Sequence, residues 1–340
     1  MKKMGLVAAT TAAMTISFSG AAMSADTLGA VKERGFVQCG VTTGVPGYSN
    51  PDNKGKWKGM DVDVCRAVAA ATLGDAEKVK YIPLNAKERF TALQSGEIDM
   101  LSRVTTWTLT RDSSLGMNFT GVTYYDGQGF LINKNLGVKS ALELDGASMC
   151  IQSGTTTELN AADYFRENNM EFEPVVFDTS DQTVKGFEAG RCDVLTSDQS
   201  QLYALRIKLA NPGAAIILPE IISKEPLGPV VRQGDDGWFN VVRWSLFAMI
   251  NAEELGLTSK NIDSKKSDKN PNIARFIGSE GIKGTGLALT DQWAYNIVKQ
   301  VGNYGEAFDR NLGAGSALKI ERGLNALWNK GGLQYAPPIR

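Results

Sequence analysis

Two stretches of the chain repeat one another, and this repeat limits the possible folds more than any other feature. "LQSGEIDMLS" at 93–102 and "FEAGRCDVLTS" at 187–197 both pass through a small residue and Gly, two further residues, Asp, two apolar residues and a hydroxyl. Gly96 and Gly190, Asp99 and Asp193, and Leu101 and Leu195 keep one constant offset. Each copy reads as a helix end feeding a strand. In the first, Asn85 is the expected N-cap with Glu88 three residues on, Phe90 and Leu93 share a face, and Gly96 stops the helix. In the second, Ser180 or Asp181 is the expected cap, Val184 and Phe187 point inward, and Gly190 is the stop.

A weaker echo precedes these: "GFVQCGVTTG" at 35–44 and "GASMCIQSGT" at 146–155 each read as a short strand with a central Cys that breaks into Thr, Ser and Gly. Each leads to a helix, from Asp61 and from about Thr157. Strand, helix, strand, helix, strand in both halves predicts two α/β lobes, each with a parallel sheet. A chain of 340 residues is long enough for two. Gly and Pro interrupt the periodic segments at "TYYDGQG" (123–129) and "SKEPLGP" (223–229), which predicts two crossings there. Lobe one is then 26–125 plus 227–340, and lobe two is 126–226. The first 25 residues, with Lys2 and Lys3 before a short apolar stretch and small residues, read as an export signal, so the fold should start near Asp26.

Composition closes several function classes. The chain has no histidine, which removes the commonest general base and a leading ligand for zinc, copper or iron. No metal or cofactor is expected. Lys and Arg number 36 against 37 Asp and Glu; without Lys2 and Lys3 the balance is 34 to 37, a net −3, and no basic patch calls for nucleic acid. Four cysteines in an exported chain favour two disulfides over four thiols. Pairing within lobes leaves the crossings free to bend, so Cys39–Cys65 and Cys150–Cys192 are the expected bridges, with buried free thiols as the alternative.

Ligands of open α/β sheets bind beyond the carboxyl ends of the strands. Thr105 and Thr106, Thr155 to Thr157, and Ser197 with Asp198 all fall there. Arg111, in "TTWTLTRDSSLGMNFT" at 105–120, is suited to grip a planar anion with two parallel hydrogen bonds, which nearby hydroxyls and backbone N–H groups would complete. Other readings stand beside this one: Arg111 as a salt bridge to Asp112, Thr156 as a plain N-cap, Asp198 as a surface acid.

"GMDVDVCRAVA", "ALQSGEIDMLS" followed by T-x-x-R, "SGTTTE" and "GRCDVLTSD", taken together and in order from Asp26 onward, resemble the type II periplasmic solute-binding proteins of ABC importers, polar amino-acid branch. Within that branch the chain is most similar to the general L-amino-acid-binding proteins of Gram-negative bacteria. The resemblance implies two Rossmann-like lobes on a two-strand hinge, a periplasmic location, an inner-membrane permease as partner, and a monomer without enzymatic activity. It implies that Arg111 clamps a ligand's α-carboxylate, with Thr106 and Thr156 adding hydroxyls and N–H groups and Thr155 beside them. Asp198 would accept the α-ammonium, with a backbone carbonyl near Val104 as a further acceptor. Single-substrate relatives carry an aromatic ring and an acid in the first loop, where this chain has "TTGVPGYSN". Val45, Tyr48 or Trp57 would have to line the side-chain pocket, and broad specificity is expected. The alternative is an enzyme on the same fold, of dehydratase type, which would need an acid or base at the reacting bond. No carboxylate pair beyond Asp198 is evident for that role. A receptor's sensor domain, a third class, would need a membrane span after the domain, and none follows "YAPPIR" at 335–340. The segment 251–312 is longer and more polar than in shorter members; "TSKNIDSKKSDKNPN" within it reads as solvated loop without a site.

Overall fold

The structure, a computed structural model, describes residues 26–281 and 284–340. The expected export signal, 1–25, lies outside the described residues. The chain begins with α1 (Thr27–Arg34), β1 (Val37–Val41), the small hairpin β2 (Asn50–Pro51) and β3 (Trp57–Lys58), and α2 (Met60–Leu73). It continues through β4 (Val79–Pro83), α3 (Arg89–Ser95), β5 (Met100–Leu101) and β6 (Met117–Phe119). After β7 (Tyr124–Asp126) come β8 (Gln128–Asn133), β9 (Ala147–Gln152), α4 (Thr157–Glu167), β10 (Phe172–Phe177), α5 (Ser180–Glu188), β11 (Val194–Asp198), α6 (Gln199–Arg206) and β12 (Ala215–Ile217). The chain returns through β13 (Glu225–Leu227) and β14 (Val230–Arg232) to α7 (Asp236–Glu254), α8 (Pro271–Phe276), α9 (Trp293–Gln300) and α10 (Tyr304–Asn311).

Two five-stranded sheets result, ordered β4-β1-β5-β14-β6 and β10-β9-β11-β8-β12. In each, three parallel strands stand in the order second, first, third, which accounts for the repeated sequence. The expected all-parallel sheets are corrected to mixed ones. β14 runs antiparallel beside β5, and β8 antiparallel beside β11. Both are strands that directly follow a hinge crossing, β8 the outward one and β14 the return, so they enter from the opposite end. The crossings pair with each other as an antiparallel ribbon, with Tyr124 opposite Leu227 and Asp126 opposite Glu225.

The repeated aspartate is a clip. The Asp99 carboxylate accepts the Gln38 N–H at 2.7 Å while the Asp99 N–H donates to the Gln38 carbonyl at 2.8 Å, tying the entry of β5 to the start of β1. Asp193 does the same with Ser148, at 3.0 and 2.9 Å, for β11 and β9. Both expected disulfides are present, each within one sheet's layer: Cys39–Cys65 joins β1 to α2 and Cys150–Cys192 joins β9 to the entry of β11, with Cα separations of 6.2 and 5.6 Å.

Helix starts differ from expectation by a few residues. Asn85 and Glu88 exchange the reciprocal bonds of a capping box, at 3.0 and 3.1 Å, but around a turn; α3 itself begins at Arg89. For α5 the cap is Thr179 rather than Ser180 or Asp181, because Thr179 is still extended and its hydroxyl accepts from Gln182, whose side chain reaches back. The segment 251–312 is not mainly loop. Ile262, Phe276, Ile297, Val298 and Phe308 are buried in the same core as α2 and α7, so widely spaced apolar residues anchor a polar surface. Among the described residues, no helix is long and apolar enough to cross a membrane.

Candidate functional site

The carboxyl ends of β5 and β11 and the first turn of α4 face one another between the two sheets. Val104, Thr106, Arg111, Thr155, Thr156 and Asp198 all line one pocket there, together with Arg89, Arg103 and Gln201. The walls are drawn together across the cleft. Lys87 pairs with Asp178 at 2.8 Å, Lys208 donates to the Gly44 carbonyl at 3.0 Å, and the Tyr48 hydroxyl donates to Ser200.

Arg111 sits in a π-helical turn, Thr110–Ser114, a distortion that recurs at functional sites. Its Nη1 donates to the Thr106 carbonyl at 2.8 Å, and its guanidinium lies 5.3 Å from the Phe90 ring centre. No salt bridge with Asp112 forms: among the described residues Arg111 has no carboxylate within ion-pair distance, although it is only 7% exposed. Burial lowers its pKa, opposed by the fields of Glu225 and Asp198.

Thr106 is stitched to the hinge strand β13, because Trp107 N–H donates to Pro226 at 2.8 Å and Gly228 N–H to Thr105 at 3.0 Å. Thr106 is paired with Leu227 between those two bonds, so its own N–H stays free for the pocket. Thr156 occupies the N-cap of α4 but its hydroxyl does not cap; it donates to Glu225 Oε2 at 2.9 Å. The Thr155 hydroxyl is spent on the Gln152 carbonyl at 2.7 Å. What the first turn of α4 offers the pocket is therefore backbone N–H and the positive end of an eleven-residue helix.

Val104 has φ +42°, a region that a β-branched residue occupies at a cost of roughly 1–3 kcal/mol. Asp61, from the first turn of α2, holds it there by accepting the Val104 N–H and the Ser102 hydroxyl, each at 3.1 Å. Burial raises the Asp61 pKa to about 7, against these hydrogen bonds. The Val104 carbonyl meets Arg89 Nη1 at 3.4 Å.

Asp198 is no surface acid; it is 5% exposed and accepts from Gln201 at 2.6 Å. Burial, then Asp126 and Glu225, push its pKa well up. Asp126, at the end of β7, is raised to about 7 by burial, against hydrogen bonds from Ser200 and Gly127. The hinge ribbon thus adds two acids to the one read from the sequence.

Val45, Tyr48 and Trp57 are not brought to the pocket. Thr42 Oγ1 donates to the Ser49 carbonyl at 2.8 Å and accepts the Val45 N–H at 3.1 Å, so the first loop folds on itself. Val45 and Tyr48 are buried at 2% exposure, and Trp57 packs 5.8 Å from Tyr81 on the sheet's edge. Sequence reasoning missed Arg89, Arg103, Asp126 and Glu225. Arg89 carried one available signal, a charged residue beside Phe90 in a helix otherwise read as packed against the sheet.

A family model described as bacterial extracellular solute-binding proteins, family 3, matches residues 37–261. The putative amino-acid ABC transporter-binding protein YhdW of Escherichia coli is 61% identical over 341 residues, 100% of each chain. The general L-amino acid-binding periplasmic protein AapJ of Rhizobium johnstonii is 62% identical over 337 residues, 98% of this chain and 99% of that one. A solved ABC transporter periplasmic binding protein from Brucella ovis with glutathione bound superposes with a TM-score of 0.91 at 59% identity, covering 93% of this chain and 100% of that one.

Proposed function

The chain belongs to the bacterial extracellular solute-binding proteins, family 3, and on that premise we propose that its inter-lobe pocket holds the α-carboxylate and α-ammonium of an L-amino acid for delivery to an ABC permease. One observation carries the reading: Arg111, with no ion-pair partner among the described residues, and the first-turn N–H groups of α4 face a buried Asp198 in a single pocket. Arg111 supplies a guanidinium fork, Thr106 and Thr156 supply N–H groups from opposite sheets, and Asp198 takes the ammonium. The dipole so read is common to every amino acid, which supports broad specificity, in line with the Rhizobium relative's being a general L-amino acid-binding protein. Glutathione, held by the Brucella protein, presents the same α-amino-acid group at its glutamyl end.

In this reading lobe one is 26–125 plus 227–340 and lobe two is 126–226, and bending at the β7/β13 ribbon opens the cleft. The protein works as a single copy in the periplasm after export, and as a receptor rather than a catalyst. Calorimetry against the twenty L-amino acids is the test. One-to-one binding of several of them, with their D-enantiomers at least about tenfold weaker, is expected; binding of none would end the proposal.

A further inference from the structure

The two strands that cross between the lobes change hands at one place. On β7, the Tyr125 N–H donates to the Asn325 side-chain carbonyl at 2.7 Å and the Tyr125 carbonyl accepts from the Asn325 amide at 3.2 Å, so one side chain takes both backbone groups. The next residues are held from the other side: the Asp126 carboxylate accepts the Ser200 N–H and hydroxyl, and the Gly127 carbonyl accepts the Gln199 N–H at 2.7 Å. On β13 the Pro226 carbonyl accepts the Trp107 N–H at 2.8 Å, whereas the Glu225 carboxylate accepts the Thr156 hydroxyl at 2.9 Å. Tyr125 stands opposite Pro226, and Asp126 opposite Glu225. Both strands therefore pass from one lobe's grip to the other's between the same two rungs.

Asn325 reaches this crossing from a separation of 200 residues. It lies in a short 3₁₀ turn, Gly323–Asn325, is 3% exposed, and stands beyond residues 37–261, the part that the family model matches. Arg322 anchors the turn to lobe one: its guanidinium donates to both Glu253 oxygens, each at 3.1 Å, and to the Asn325 carbonyl at 2.9 and 3.0 Å, and lies 5.1 Å from the Tyr304 ring centre. The Tyr304 hydroxyl in turn donates to the Thr123 carbonyl at 2.7 Å, and the Gln334 amide to the Val122 carbonyl at 3.3 Å. The outer edge of the crossing is thus strapped down by the C-terminal part of the chain. β13 lies on the other edge of β7, and beyond it comes Thr106 of the ligand pocket. Strap and pocket stand on opposite edges of one ribbon. Beside the strap is a cavity of about 640 Å³ with walls from both lobes, Lys319, Leu324 and Asn325 on one side and Gln199, Tyr203 and Ile221 on the other.

We propose that Asn325 is the positioning residue of the hinge, confining the bend to the single step between the Tyr125–Pro226 and Asp126–Glu225 rungs, and that the cavity beside it is the room lobe two swings into when the cleft opens. A rotation about a step within the ribbon parts the walls on the Thr106 edge and brings them together on the strap edge. Opening is then limited from behind by the strap. Without the clamp, residues 122–125 would gain backbone freedom in the open state that closure has to remove, so affinity would fall for every ligand alike. The inference rests on the hinge bending of the reading above and not on the ligand's identity. It moves Pro226 to lobe one, one residue from the boundary read in the sequence.

Double electron–electron resonance on the mature protein decides it, with spin labels on Lys54→Cys and Glu173→Cys, exposed positions of lobe one and lobe two, beside calorimetry with L-glutamine and L-leucine. Ligand-free Asn325→Ala should show a broader lobe-to-lobe distance distribution than wild type and bind both amino acids about three- to tenfold more weakly, by one common factor. Asn325→Asp, which keeps the acceptor for the Tyr125 N–H and loses the donor to its carbonyl, should fall between. Ile221→Trp, at a position 57% exposed, fills the cavity from lobe two; it should narrow the ligand-free distribution and tighten binding by about threefold. An Asn325→Ala protein that melts like wild type with unchanged distribution and affinity overturns the proposal, and so does a change of the same sign in Asn325→Ala and Ile221→Trp. If Asn325→Ala does not fold, an unchanged distribution in Ile221→Trp overturns it alone. Failure of both amino acids to bind wild type removes the ligand reading, while the ligand-free distributions still decide the hinge.

Discussion

The two lobes use one scaffold to present opposite charges. Counting along the repeat, Arg103 and Val104 of the first lobe correspond to Ser197 and Asp198 of the second, because the offset that relates Leu101 to Leu195 relates these as well. After the same strand the first lobe turns guanidinia into the cleft, and the second turns a carboxylate and a helix N-terminus. The repeat fixes where the loops stand; the loop residues decide what they hold. The clip shows the same contrast. Asp99 is 4% exposed and burial raises its pKa, whereas Asp193 is exposed and the Ser148 side chain, then its backbone, lower it.

The sharpest way to break this comparison is to remove the cation from one lobe and the anion from the other. Arg111→Ala and Asp198→Asn should each weaken binding by about 30-fold to a few thousand-fold, by a similar factor for every amino acid, since each change touches the shared backbone group. A loss confined to one ligand class, read by calorimetry, would place the residue at the side chain instead. A smaller effect concerns the clips. Asp99→Ala should lower stability by about 1–3 kcal/mol in a denaturant titration, because it leaves the part-buried Arg34 and Gln38 donors without their acceptor, and Asp193→Ala should cost less. Equal costs would mean that burial does not distinguish the lobes.

Protonation sharpens the contrast further. The raised pKa of Asp99 means that its ionisation opposes folding: its contribution is fully present below the unfolded value and is lost as pH rises through the folded one. Asp193 is the reverse; its contribution is present above the unfolded value and is lost as pH falls through the folded one. Melting scans of Asp99→Asn should therefore exceed wild type near neutrality and converge with it in acid, and those of Asp193→Asn should fall below wild type near neutrality and converge in acid. The same logic applies to binding. A ligand ammonium favours the ionised form of Asp198, so binding should release protons and weaken as pH falls, by at most about tenfold per unit. Calorimetry in two buffers of different ionisation heat measures that release; proton uptake would reverse the assignment. The smallest expected effect is at the first loop. Trp57→Ala should leave the ranking of ligands unchanged within about twofold, because Trp57 packs on Tyr81 at the sheet's edge.

Much of this was legible because it is local. The Gly-x-x-Asp echo marks a helix end and a clip that depend on a few adjacent residues, and the two Cys pairs follow once each lobe is drawn. Six pocket residues could be named from strand-end loops. The unread parts depend on contacts across long separations. β8 and β14 join their sheets only after crossing the hinge, so their antiparallel sense is not written in their own residues. Glu225 reads as a hinge residue until Thr156 and Asn160 are seen to donate to it. The first loop's conformation is not legible either, because it is set by Thr42 hydroxyl bonds to Ser49 and Val45, and by a Tyr48 hydroxyl that reaches Ser200 across the cleft beside the pocket, none of which leaves a periodic signal.

The account stands on the pocket reading an α-amino acid by both of its charges. The most direct measurement compares wild-type affinity for L-glutamate, for its α-amide and for glutarate, which lacks the amine. The amide loses the charge that faces Arg111 and glutarate the one that faces Asp198, so each should bind at least about 30-fold more weakly than glutamate. Equal affinity for glutamate and either analogue would contradict the claim.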